Sequence, residues 1–256
     1  MAYADVVPVP FEMGRVIRRM TESIGRRWAT LGLTILLVSV LPGVAYQTWF
    51  GASLGQNAKA PFAMFTDGSL AMAWIMLMIV GFVAQIVIML ILLGDQLGEE
   101  PSLRDSIAPA LGLLLPVVAI KIVVWLSLAI AWMFFLVPAL ILFTRWFVGM
   151  PALVAERGGV LESLGRSRDL TDGSRWRVFG LIALIGILYM VLLGTLFPLA
   201  FMAASGTAIV IVVTLVQQIV AGAGAIVWAA ALVSTYVELR EVKEGAPTNQ
   251  LAEVFA

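Results

Sequence analysis

The chain has 256 residues, of which 61% are hydrophobic and 12% charged, and its mean hydropathy is +1.02. Soluble domains average about 45–50% apolar and about 25% charged residues, so an ordinary water-soluble fold is excluded and an integral membrane protein is implied. The formal charge is zero, and the lack of Cys and His removes disulfides, thiol nucleophiles, Cys/His metal sites and imidazole acid–base chemistry. An enzyme built on this chain would have to work with carboxylates, Ser, Thr or Tyr.

Hydrophobic runs of about 20 residues predict an all-α polytopic membrane protein, with six transmembrane helices forming three hairpins and short amphipathic helices on the membrane surface. Runs such as Ile209–Val216 do not alternate, against a transmembrane β-barrel. The expected organisation is a cytoplasmic N-terminal part (1–28), a six-helix membrane domain (29–240) and a flexible cytoplasmic tail (241–256).

The start, MAYADVVPVP, lacks the basic residues and apolar stretch of a cleavable signal, so the first helix is expected to stay in the protein. Over residues 11–27, Met13, Val16, Ile17, Met20 and Ile24 recur at helical spacing between Arg15, Arg18, Arg19, Arg26 and Arg27. This is a basic amphipathic helix, and it either lies on anionic lipid, its arginines contacting head groups, or packs on the protein's own loops. The first span is predicted from Ala29 to Phe50, ending in Tyr46, Trp49 and Phe50 at an interface. A loop with Lys59 follows, then a second span over Leu70–Gly94, which meets water at Asp95.

Ser102-Leu-Arg-Asp105 has a capping-box pattern, and Leu103, Ile107, Leu111 and Leu114 share a face, predicting a second surface helix before Pro116. The third span is placed at Val117–Leu136, with Lys121 snorkelling to the cytoplasmic interface. Val137-Pro138 forms the turn into the fourth span, Ala139–Ala155. Beyond Gly158-Gly159, a third amphipathic piece carries Val160, Leu161 and Leu164. The fifth span covers Val178–Ala203, the turn Ser205-Gly206-Thr207 follows, and the sixth span covers Ala208–Val237.

With six spans, the N-terminal arginines, Arg104, Arg157, Arg166, Arg168, Arg175, Arg177, Arg240 and Lys243 share one side, against Lys59 on the other. By the positive-inside rule both termini are cytoplasmic. Gly25-Arg-Arg-Trp28 is echoed by Gly173-Ser-Arg-Trp176, each where a surface helix enters the membrane. The echo suggests a repeated unit of surface helix and hairpin, although interfacial Trp and cytoplasmic Arg are expected at such places anyway.

Arg145 is the least expected residue, because a guanidinium inside a span costs several kcal/mol unless it is paired or reaches water. Counting from the outer helix ends places Gln217 and Gln218 at its depth, so these three are expected to form either a structural clamp or an anion site. Glu156, Arg166, Arg168 and Trp176 are candidates for a cytoplasmic loop network.

The pattern Arg145-Trp146, Pro151, Glu156, Gly159, Ser167, Leu170-Thr171, Gly173 and Trp176, with Tyr236, Glu238-Leu-Arg240 and Glu244-Gly245, resembles the bacterial "glycerophosphoryl diester phosphodiesterase membrane domain" group and related six-helix proteins. That resemblance implies a multi-pass protein of the bacterial inner membrane whose role is unestablished. The group's name comes from fusions to a separate catalytic barrel that needs histidines, and this chain has none. The expectation is a non-enzymatic protein with no cofactor, organising anionic phospholipids, a protein partner or further copies of itself at the cytoplasmic face, and not binding nucleic acid. The alternative is a transporter or channel for a lipid, amphiphile or small anion through a crevice between the fourth and sixth spans near Arg145.

Overall fold

The computed structural model of the protein describes residues 11–45, 68–99, 102–202 and 207–245. Among these every regular element is a helix. Five helices are long and apolar enough to cross a membrane, or six if the bent pair of Val160–Thr171 with residues 175–191 counts as one crossing. The aromatic group Tyr46, Trp49 and Phe50, the loop with Lys59, residues Ser205 and Gly206, and the tail from 246 lie outside the described residues.

Helix α1 (Met13–Arg26) buries Val16, Met20 and Ser23 on one face. After Arg27 the chain turns into α2 (Trp28–Ile35), which passes through a π-helical turn at Leu36–Val40 and stays helical over 41–45. The wide turn directly precedes Pro42, a residue that cannot donate to the carbonyl four positions back. Helix α3 (Gly68–Gln96) returns to the end of the bundle at which α1 lies.

Helix α4 (Leu103–Phe134) corrects the expectation of a separate surface helix, because it is continuous through Pro109 and Pro116. The carbonyls that those prolines deprive of partners belong to Asp105 and Gly112, both exposed, so the lost bonds face outward. Its inward stripe is Ser106, Ala110, Leu113, Val117 and Ile120, whereas Ile107 and Leu111 of the expected apolar face are exposed. The turn after α4 is made by Phe135 (φ 153°) and not by Val137-Pro138. Pro138 falls instead in the first turn of α5 (Leu136–Trp146), where a missing N–H has no partner to lose.

The helix is interrupted at Phe147-Val148 within the expected fourth span, which still runs as one membrane-length segment over Leu136–Glu156, and α6 (Gly149–Glu156) restarts with Pro151 in its first turn. Arg157, at φ 52°, then ends it. Helix α7 (Val160–Thr171) begins with the Glu162 carboxylate accepting from the Gly159 amide at 3.1 Å. It is bent by 103° against α8 (Arg175–Met202), across a link in which Gly173 adopts φ 82°.

Helix α9 (Thr207–Glu244) is the hub and packs against α1, α2, α3, α6, α7 and α8. It runs past the expected boundary at 240 and ends at Gly245, whose φ of 85° suits a C-terminal cap. Its fully buried stretch, Ala229–Ala231 with Val233, Tyr236 and Leu239, shares one core with buried Ile86–Met89, Ile91 and Leu92 of α3 and Ala152–Val154 of α6. The core therefore sits toward the end bearing α1, α7 and the charged residues, the charged end, while Met133–Phe135 and Leu188–Val191 lie exposed.

Candidate functional site

Small residues on α9 shape the most conspicuous feature. Ala221, Gly222, Ala223, Gly224 and Ala225 present almost no side chain, so neighbours approach closely on either side and leave space between them. A Cβ at Gly224 would come within 2.7 Å of the Tyr189 ring, and one at Gly222 would run into Ile35. Around this stripe α2 and its π turn, α3, α8 and α9 enclose a cavity of about 920 Å³. Ile17 and Met20 of α1 close it at the charged end. Its walls are overwhelmingly apolar, with Gln85, Gln218, Thr34 and Tyr189 as the polar side chains. Thr34 is satisfied by the Thr30 carbonyl at 2.8 Å.

The clamp expected between Arg145 and Gln217 or Gln218 is not formed. Phe143 and Phe147, which flank Arg145, have ring centroids 6.3 and 5.6 Å from that of Trp228, about 15 Å along α9 from Gln218. The misjudged depth has a simple origin: α9 begins at Thr207, far beyond Trp228, whereas α5 begins at Leu136, about two turns before Phe143. Arg145 instead sits beside α7, its carbonyl accepting from the Ser167 hydroxyl at 2.8 Å, and its Nε is buried without a partner. In place of the crevice expected between the fourth and sixth spans, the rings of Phe143, Phe147 and Trp228 pack against one another. Gln218 lies against Gly43 in the cavity wall, and Gln217 is half-buried.

The N-terminal arginines also depart from the head-group expectation. Arg15 binds Glu238 at 2.7 Å, Arg19 binds Glu241 at 2.5 Å, and Arg26 and Arg27 both bind Asp95, at 2.8 and 2.9 Å. Glu238 is 1% exposed and also accepts from the Glu12 amide at 3.3 Å. Its hydrogen bond holds the Arg15 guanidinium above its ordinary range, against the opposing effect of burial. Arg18 alone of the five points outward, 3.8 Å from Glu22. A strongly amphipathic helix thus packs on its own protein because α3 and α9 end in carboxylates beneath it.

Of the expected loop network, Glu156 and Arg166 come together at 2.9 Å. The Tyr236 hydroxyl donates to the same carboxylate at 2.9 Å, and Arg166 and Arg240 share Glu244. Arg168 is exposed, and Trp176, 86% exposed, meets Phe179 alone among the described aromatic rings, edge-on, so neither joins the cluster. Trp28, 72% exposed, stands like Trp176 at the start of a long helix after a break, so the sequence echo extends to local architecture.

Sequence reasoning missed Asp95, Glu238, Glu241 and Glu244 as anchors. Their signal was a carboxylate just beyond each apolar run, opposite a helix rich in arginine. Lys121 was misplaced too: its ammonium turns inward, donating to Gln85 Oε1 at 2.5 Å and standing 4.2 Å from the centre of the Phe82 ring. Compared with models of protein families, with curated proteins and with solved structures, the chain matches none.

Proposed function

We propose that this is a non-enzymatic membrane protein that holds an amphiphile, lipid or lipid-like, inside its helix bundle. The observation that carries the reading is the apolar cavity of about 920 Å³ between α2, α3, α8 and α9. Walls this apolar suit hydrocarbon better than water. Its size is also in the roughly 300–1,000 Å³ range of ligand pockets.

In this reading the chain crosses a bacterial inner membrane six times, with the charged end and both termini in the cytoplasm. The distribution of Lys and Arg supports that orientation. The amphiphile enters from the bilayer, and α1 covers the cytoplasmic end of its site. The cavity beside α9 replaces the crevice near Arg145 as the place where a ligand would sit.

Native mass spectrometry of protein released from mild detergent tests the reading. Gly81 and Gly186 line the cavity, and a Cβ added at either meets no neighbouring atom, so Gly81→Trp or Gly186→Trp is expected to obstruct it. Bound lipid is expected in the unaltered protein and in Gly112→Trp, a site equally open but outside the cavity, and lost in the two cavity variants. Equal lipid retention in all four proteins rejects the proposal.

A further inference from the structure

Lys121 and Gln85 bear on what kind of amphiphile the cavity takes, an inference that rests on the reading above. Both residues belong to membrane-length helices, Lys121 to α4 and Gln85 to α3. Gln85 is eleven positions before the end of α3 at Gln96, about 16 Å along the axis, and is therefore well inside the apolar part of the bundle. Lys121 meets the amide of Gln85 and the ring of Phe82, and among the described residues no carboxylate lies within ion-pair distance of it. A cation in such a place is expensive, and its usual justification is functional.

The chemistry of the pair fixes its orientation. An ammonium group has only donors, so the amide must turn its oxygen to Lys121 and its nitrogen away. Gln85 is part of the cavity wall, and its Nε2 donates to no protein group among the described residues. The positive charge behind the amide polarises it, making those N–H groups stronger donors toward the cavity. The wall thus presents a donor with positive charge immediately behind it and, among the described lining residues, no negative group in front. Gln218, elsewhere on the same wall, adds a second amide with no hydrogen-bond partner among the described residues.

We propose that the occupant is an amphiphile with an anionic head, a carboxylate or a phosphate on an apolar chain, whose charge is accepted by Gln85 and balanced by Lys121. An anion about 5 Å from the ammonium, in surroundings that screen far less than water, gains enough to outweigh a neutral head of the same chain by more than about tenfold in affinity.

The test uses the full chain in nanodiscs of phosphatidylcholine, a net-neutral lipid, titrated with palmitate, with a single-chain phosphatidate, and with hexadecanol as the neutral comparator. Both anions are expected to bind more than about tenfold tighter than hexadecanol. Lys121→Met should remove that preference while hexadecanol still binds, which also shows that the variant is folded, and Lys121→Arg should retain it. Preference for one anion alone identifies the head group. Should Lys121→Met not fold, the comparison of palmitate with hexadecanol in the unaltered protein decides by itself. Equal affinities for the anions and hexadecanol there, or a preference that survives Lys121→Met, overturn the anionic head but leave the cavity reading standing. Binding of none of the three overturns both.

Discussion

Among single residues, Glu238 and Asp95 carry the largest electrostatic stakes, because they are 1% and 8% exposed and each is engaged by two arginines. Removing one member of a buried pair costs up to about 3–5 kcal/mol where the other is left unpaired; less is expected for Glu238, because Arg15 is partly exposed and stays 3.5 Å from Glu12 while Arg19 keeps Glu241. Glu238→Gln keeps the shape but leaves Arg15 facing a neutral amide, so a clear fall in thermal midpoint is expected in detergent. Glu99→Gln is the control, since Glu99 is exposed and only its backbone carbonyl accepts from Arg27, and it should leave the midpoint unchanged. Equal midpoints for both variants would refute the assignment. The sequence made the Glu156–Arg166 contact legible because the residues are ten apart, whereas Arg15 and Glu238 are separated by 223 positions that no periodicity connects. Arg145 was legible as an anomaly but not as a neighbour of Ser167, because helix depth depends on how far each helix projects beyond its partners.

For the helices, what could be read followed the 3.6-residue pattern, and what could not depended on tertiary contacts. All the long helices were foreseeable from apolar runs, and α1 from its alternation of arginine and aliphatic residues. The break at Phe147-Val148 was not, although Pro151 in the first turn of α6 is its local trace. Nor was the continuity of α4, because a proline in a helix interior normally argues for an end. The packing of α1 on α3 and α9 gives the element its own test. With Arg15 and Arg19 both replaced by Gln, the ties to Glu238 and Glu241 are lost, and amide hydrogen exchange across Met13–Arg26 should quicken. Arg18→Gln should leave it unchanged, since Arg18 points outward. Exchange that stays slow in the double variant would mean that Val16, Met20 and Ser23 hold α1 down without the ion pairs. Because Ile17 and Met20 also close the cavity, the loosened helix should release bound amphiphile faster.

For the molecule as a whole, the ion pairs at the charged end bear on the number of crossings. Arg19 belongs to α1, at the start of the bundle, and Glu241 to the last turn of α9, yet they are 2.5 Å apart. If α1 and the end of α9 lie at the same membrane face, the chain crosses an even number of times. Five helices pass on length and hydropathy by themselves, so the contact favours counting α8 as a crossing and α7 as the bent approach to it. Its 28 residues give α8 a length of about 42 Å, enough for a hydrocarbon core of about 30 Å. The positive-inside rule predicts the orientation, with the arginines of α1 and α7 cytoplasmic and the segment that carries Lys59 expected on the other side. Reporter fusions at Lys59 and after Ala256 should therefore report opposite sides, the C-terminal one cytoplasmic. A third fusion, within the link after Thr171, should share the side of the C-terminus. If that fusion instead reported the side of Lys59, α8 would run the other way, and the even count would fail together with the claim that α1 caps the cavity from the cytoplasm.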